Sequence, residues 1–155
     1  MNIEERIRKQ RELIEEIGCY FEKEGLQPIA GRILGLFMVM DKEQFTFDEI
    51  TGELQISKAS ASNALKNLEI RGNIEYVTLP GDRKRYFQLK RYEGFRLIEE
   101  FEKKMADTLR LFNYIIDLKE NKNSKNALFL KEMGDMIGFA LKQIENAKAN
   151  FSKKS

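Results

Sequence analysis

Residues 45–89 read FTFDEITGELQISKASASNALKNLEIRGNIEYVTLPGDRKRYFQL, and the fold turns on this stretch. Phe47, Ile50 and Leu54 fall three and four apart, which places them on one face of a helix of barely two turns. Gln55 and Ile56 break that run. Ser57 then opens a second helix, whose apolar side is supplied by Ala61, Leu65, Leu68 and Ile70 and which Gly72 ends. In NIEYVTL, Ile74, Tyr76 and Thr78 alternate against Glu75, Val77 and Leu79, the period of a strand with aromatic and β-branched content. Pro80, Gly81 and Asp82 are turn formers, Arg83, Lys84 and Arg85 follow at once, and RKRYFQL supplies a returning strand. Helix, turn, helix and basic-tipped hairpin in this order predict a winged helix-turn-helix, with the hairpin as the wing. Strands this short need helices to cover them.

The second helix of such a unit can enter a DNA major groove with its first residues against base edges. Once the apolar stripe is set aside, Lys58, Ser60, Ser62, Asn63 and Lys66 occupy the other sides, and none is acidic. Ser60, Ser62 and Asn63 are the candidates for base-edge readout, because asparagine can pair with adenine and serine is a less selective partner. Lys58 and Lys66 are candidates for phosphate contacts, and Arg83, Lys84 and Arg85 bring the wing to the sugar-phosphate rails. Asp82 is read either as part of the turn or as an inward group that orients Arg83 or Arg85. The bland alternative is a winged-helix module for protein interaction or structure, without specific DNA binding, whose basic hairpin is solvated surface.

Outward from this unit, residues 3–24 read as one helix with Ile3, Ile7, Ile14, Ile17 and Phe21 as its apolar stripe. Gly18 inside it is either a site of close approach by another helix or a tolerated glycine. Gly25 stops the helix, and Pro28 enters the next, where a missing N–H costs least. That helix, from Pro28 to about Met40, is apolar on nearly every side and too short for a bilayer, so it is the expected central core helix. Gly31 and Gly35 flatten one of its faces. Arg32 is the exception, read as pairing with an acid such as Glu49 or as touching DNA backbone. From Tyr92 a long helix is expected to about Lys119, with Ile98, Met105 and Phe112 every seven residues, Phe101 and Ile115 offset, and Leu97, Leu111 and Leu118 beside the seam. Ser124 caps a last helix that runs to near Phe151. The fold class is therefore mainly α with a small β-hairpin wing: an N-terminal dimerisation helix in 1–24, a winged helix-turn-helix in 25–91, and C-terminal helices for dimerisation in 92–151.

Composition narrows the function. Histidine is absent from the 155 residues, which rules out a histidine-based catalytic triad, and a single cysteine cannot build a soft-metal site. No phosphate-binding or dinucleotide fingerprint occurs, so no cofactor and no enzyme activity are expected. Cys19 is read as a buried thiol in a reducing compartment. With no signal segment or 18-residue apolar run, a cytoplasmic protein without a membrane partner is expected. Net charge is only +2, yet residues 1–50 carry −4 and residues 51–96 carry +4, so positive charge gathers on the reading unit.

Three blocks carry a resemblance: GLQPIAGRILG from Gly25, SKASASNALKNLE from Ser57, and PGDRKRY from Pro80. They resemble the MarR superfamily of winged-helix regulators, and more narrowly the branch that includes the glycine-betaine synthesis repressor GbsR. Ala59 and Ala61 stand where that family commonly has glycine and valine. The resemblance implies a sequence-specific transcriptional regulator acting as a repressor, a homodimer on a pseudopalindromic double-stranded DNA operator. It also implies a small-molecule effector of the choline class, for which Tyr20, Phe21, Phe112, Tyr114 and Phe129 are the candidate aromatic faces.

Overall fold

The first helix, α1 (Ile3–Lys23), is capped by the Asn2 side chain, which accepts the Glu5 N–H at 2.8 Å. It ends where Gly25 takes up a left-handed φ of +88°, which lets the Gly25 and Leu26 N–H groups return to the carbonyls of Glu22 and Phe21. Pro28 then opens α2 (Pro28–Val39) with its preset φ and no orphaned donor. The computed structural model describes residues 1–91 and 96–153, and of Arg96 and Leu97 the backbone alone. It divides into two compact units that part between Arg91 and Tyr92.

In the first unit, α1 lies along α2 because three glycines let the backbones meet. A Cβ built on Gly31 would stand 3.0 Å from the Gly18 carbonyl oxygen, and one on Gly35 would stand 3.1 Å from that of Ile14. Gly18 is therefore a site of close approach, with the stem of Arg32 directly over it. Arg32 pairs with Glu15 of α1 (Nε to Oε1, 2.8 Å) and donates to the Leu54 carbonyl at 3.2 Å. The expected partner Glu49 is engaged elsewhere, with Lys42 and in the capping box that Thr46 forms at the start of α3 (Phe47–Leu54). Arg32 thus anchors helices to one another. Cys19 corrects the expectation of a buried thiol: it is exposed, because the glycine beside it, not the cysteine, points at α2.

The rest of the unit is β1 (Phe45–Thr46), which precedes α3, then α4 (Lys58–Ile70), β2 (Ile74–Thr78) and β3 (Arg85–Leu89). Ile33 and Leu36 of α2, Ile50 of α3, Leu68 of α4 and Ile74 of β2 are its largest fully buried side chains. The hairpin pairs Ile74 with Leu89 through Thr78 with Arg85, as the alternation predicts. A third strand, absent from the sequence reading, extends the sheet in the order β1-β3-β2. β1 pairs Phe45 with Phe87 and stacks Phe45 on Phe37 of α2, ring centroids 5.5 Å apart. Glu75, Gln88 and Gln44 form a hydrogen-bonded row across the sheet. Ile70, expected in the apolar stripe of α4, is 77% exposed. It lies about 160° around the helix from Leu68, and Ala64 takes its place in the buried stripe.

The second unit is α5 (Arg96–Leu118) and α6 (Lys125–Ser152), the latter capped by Ser124, which accepts from the Ala127 N–H. The expected start of α5 at Tyr92 falls outside the described residues. The two helices meet where Gly134 faces Leu109, and a Lys148–Glu102 ion pair of 2.8 Å closes the far end. Among the described residues of this unit the buried ones are small, Ala127 and Gly134. Large apolar groups remain outside: Phe101, Leu118, Phe129, Met136 and Phe139 are each more than half exposed. Among the described residues no helix is long and apolar enough to cross a membrane, and no cluster of potential ligands could hold a metal ion.

Candidate nucleic-acid interface

α3 stops at Gln55, whose left-handed φ of 51° turns the chain and sends the Ile56 N–H back to the Thr51 carbonyl. Ser57 then caps α4: its Oγ accepts the Ser60 N–H at 3.1 Å and donates to the Ser60 hydroxyl at 2.8 Å. Ala61, Ala64, Leu65 and Leu68 bury the inner face. At 100° per residue, Ala59, Asn63, Lys66 and Ile70 form the line opposite that face, and all four are exposed. Lys58 and Ser62 are exposed beside them. Ser60 is different: half-buried on the flank, its hydroxyl is held by Ser57.

The wing is shaped by Gly81, at φ +78°, and by Asp82. The Asp82 carboxylate accepts the Tyr86 hydroxyl at 2.6 Å and the Lys84 N–H at 2.9 Å, closing the tip on itself. These two donors, the hydroxyl foremost, hold the Asp82 carboxyl below its ordinary range and push the Tyr86 phenol up. The carboxyl pKa is depressed, so its contribution is complete above the usual value of 3.8 and fades only as pH falls below it. Asp82 therefore orients the turn and Tyr86 rather than Arg83 or Arg85. Arg85 lies over the Tyr76 ring, 4.7 Å from its centroid, on the sheet face that carries buried Phe87 at its inner end. Arg83 and Lys84 are exposed and have no ion-pair partner among the described residues.

Between α4 and the wing lies an open groove of about 410 Å³, onto which Ser62, Lys66, Lys84 and Arg85 converge. Asp48 of α3 and Glu69 of α4 line it as well. Sequence reasoning missed both acids. Glu69 was open to detection, since it stands three residues from Lys66 and seven from Ser62 on one side of the helix, whereas Asp48 reaches the groove only through the packing of α3 on α4. The result is a helix about 20 Å long whose outer face carries Lys58, Lys66 and the Asn63 amide, with a basic hairpin alongside. These are the dimensions and donors that a major groove and its phosphate rails require.

Residues 24–85 match the MarR family. The winged segment belongs to that family. MarR-family regulators are non-catalytic DNA-binding proteins. The chain is 27% identical over 144 residues to the HTH-type transcriptional regulator MmpR5 of Mycobacterium tuberculosis, covering 93% of this chain and 87% of that one. It also resembles a crystal structure described as that of a transcriptional regulator, with 29% identity, a TM-score of 0.61, and coverage of 94% of this chain and 99% of the other. The MarR segment begins at the foot of α1 and ends inside β3, so it takes in α4 and the wing, with every candidate DNA-contact residue from Lys58 to Arg85.

Proposed function

We propose that this MarR-family chain is a homodimeric transcriptional repressor that reads a pseudopalindromic duplex with α4 and grips its backbone with the wing. The observation that carries the reading is the single groove onto which Ser62 and Lys66 of α4 converge with Lys84 and Arg85 of the wing. Asn63 and Ser62 read base edges, Lys58 and Lys66 hold phosphates, and Arg83 and Lys84 reach the sugar-phosphate rails. Ser60 contributes through the helix cap it shares with Ser57, and Arg85 through the side of the wing it holds against Tyr76. The uncovered apolar groups of α5 and α6 supply the dimer contact, which sets two reading helices about 34 Å apart, one helical turn of DNA.

Selection from random duplexes tests this directly. An enriched palindromic motif is expected, with an affinity that falls steeply as salt rises. An absence of both would favour a winged helix that serves protein interaction alone. Within the selected site, Asn63→Ala should relax preference at a limited set of base pairs, at a cost of about 1–3 kcal/mol. Lys66→Ala should weaken all sequences alike and lower the salt slope by about one. The reverse pattern would exchange the two roles.

The wing carries a separate prediction. Replacing Arg83 and Lys84 by alanine should lower DNA affinity and reduce the salt slope by up to about one for each phosphate that the wing ceases to neutralise. The unfolding curve should stay unchanged, since neither side chain has an ion-pair partner among the described residues. Unaltered binding by that double variant would reduce the wing to scaffold. Kinship with the glycine-betaine branch, and an effector of the choline class, rest on the sequence blocks at Gly25, Ser57 and Pro80. Of the candidate aromatics, Tyr20 and Phe21 meet edge to face, centroids 5.3 Å apart. Calorimetric titration with choline, followed by DNA titration in its presence, tests that part. An effector must favour one placement of the reading heads to act at all.

A further inference from the structure

The entering tip of α4 looks polar in sequence, SKASASN, but two of its three hydroxyls are engaged with each other. Ser57 and Ser60 are bonded to each other, and both serve the helix cap. What the first turn presents outward is Lys58 and the methyl group of Ala59, both exposed. Ala59 heads the line that continues through Asn63 and Lys66, so its methyl faces whatever Asn63 faces, one helical turn nearer the helix N-terminus. It has no partner to gain from within the fold.

We infer that Ala59 is a specificity-determining residue that packs on the C5-methyl group of a thymine in each half-site. This inference rests on the DNA-reading role of α4 and adds a base and a mechanism to it. The chemistry is asymmetric. A side chain of one carbon lets the helix come close, excludes water from the base edge beneath it and offers no hydrogen bond in return. Opposite cytosine, that closeness strips water from the N4 amino group without replacing it. Opposite thymine, the major-groove edge presents a methyl group that gains from the same dry contact. Neighbouring Asn63 supplies the polar half of the readout, so one turn of helix reads an apolar and a polar feature side by side.

The test uses the full chain and the duplex it selects. Each thymine of the half-site is replaced in turn by deoxyuridine, which removes only the methyl group, and binding is followed by fluorescence anisotropy. One position per half-site should weaken binding about fourfold, the value of one buried methyl group. In Ala59→Gly the same replacement should cost nothing. Glycine also loosens the first turn of the helix, so Ala59→Ser, which keeps the size and adds a hydroxyl, is measured beside it, with thermal melts of both. Ala59→Ser should likewise lose the discrimination between thymine and uracil. If the wild-type chain tolerates uracil at every position, the inference falls while DNA reading stands. If the uracil penalty persists in both Ala59 variants and vanishes in Asn63→Ala, the methyl contact belongs to Asn63 and the inference is overturned. If the wild-type chain selects no duplex at all, the DNA-reading role itself fails.

Discussion

Replacing Met136 and Phe139 together by glutamate should turn the protein into a monomer and weaken its hold on a two-half-site operator by about 10²- to 10⁴-fold. Both side chains lie on the uncovered side of α6, 63% and 67% exposed, while the α5–α6 contact runs through Gly134 and Ala127 on the other side. On the proposed dimer arrangement the substitution therefore removes apolar surface from the contact between copies without touching the packing inside the unit. In a homodimer each change counts twice, so the pair of substitutions adds four carboxylates to the proposed contact. The drop in affinity follows from geometry. A second reading head tethered to the first binds at a high effective concentration, and a lone head forfeits that gain even though its own grip on DNA is intact. Sedimentation and DNA titration on the same samples provide the check. A variant that stays dimeric with full affinity would remove this face of α6 from the interface, and a monomer with undiminished operator affinity would remove the dimer from the mechanism.

Gly31→Val combined with Gly35→Val should destabilise the first unit by about 2–6 kcal/mol, at roughly 1–3 kcal/mol for each overpacked position. At both positions the new Cβ would meet backbone of α1, 3.0 Å from the Gly18 oxygen and 3.1 Å from the Ile14 oxygen, and backbone cannot swing aside as a side chain can. Relief requires α1 to lift from α2, which would pull Glu15 away from Arg32 and loosen the Arg32 bond to Leu54 at the end of α3. Gly52→Ala is the matched control. Nothing lies within 4 Å of a Cβ at that position in α3, so alanine should stabilise by about 0.5–1 kcal/mol through helix propensity alone. Denaturant melts of the three proteins decide the matter. A double variant within about 1 kcal/mol of wild type, the low end expected for a single overpacked site, would mean that the glycines answer to something other than the α1–α2 contact.

The acids in the groove between α4 and the wing show where reading by spacing reaches its limit. The run from Phe47 to Leu89 carries its helix, turn, helix and hairpin openly, because each apolar repeat is a local property of a few residues. Asp48 and Glu69 sit among Lys66, Lys84 and Arg85, and that neighbourhood exists only after α3, α4 and β3 have packed. β1 was hidden for a related reason. Two residues are too few to show a strand period, and only the pairing of Phe45 with Phe87, forty-two positions away, makes a strand of them. Ser60 is a candidate for base-edge readout in the sequence; in the fold its hydroxyl is bonded to Ser57 in the helix cap. Ile70 and Cys19 erred in the same direction for different reasons, Ile70 because its angle on the helix faces away from Leu68, Cys19 because the neighbouring glycine took the buried place.

The helices, the hairpin and their order are written in the chain itself: the stripes of α1 through α4, the stop at Gly25, the start at Pro28, the turn at Gly81 and the gathering of positive charge between residues 51 and 96. These follow from dihedral preference and from burial of one face, which act over a turn of helix or a pair of strand residues. Which groups answer one another was settled by packing. Arg32 chose Glu15 over Glu49 because the glycine contacts bring α1 within reach of α2 while Lys42 and Thr46 occupy Glu49. The Asp82 carboxylate closed on Tyr86 and the Lys84 N–H, leaving the side chains of Arg83 and Lys84 facing solvent. Partner choice among many equally suitable charges is a matter of distance, and distance between remote residues is set by the packing of the core.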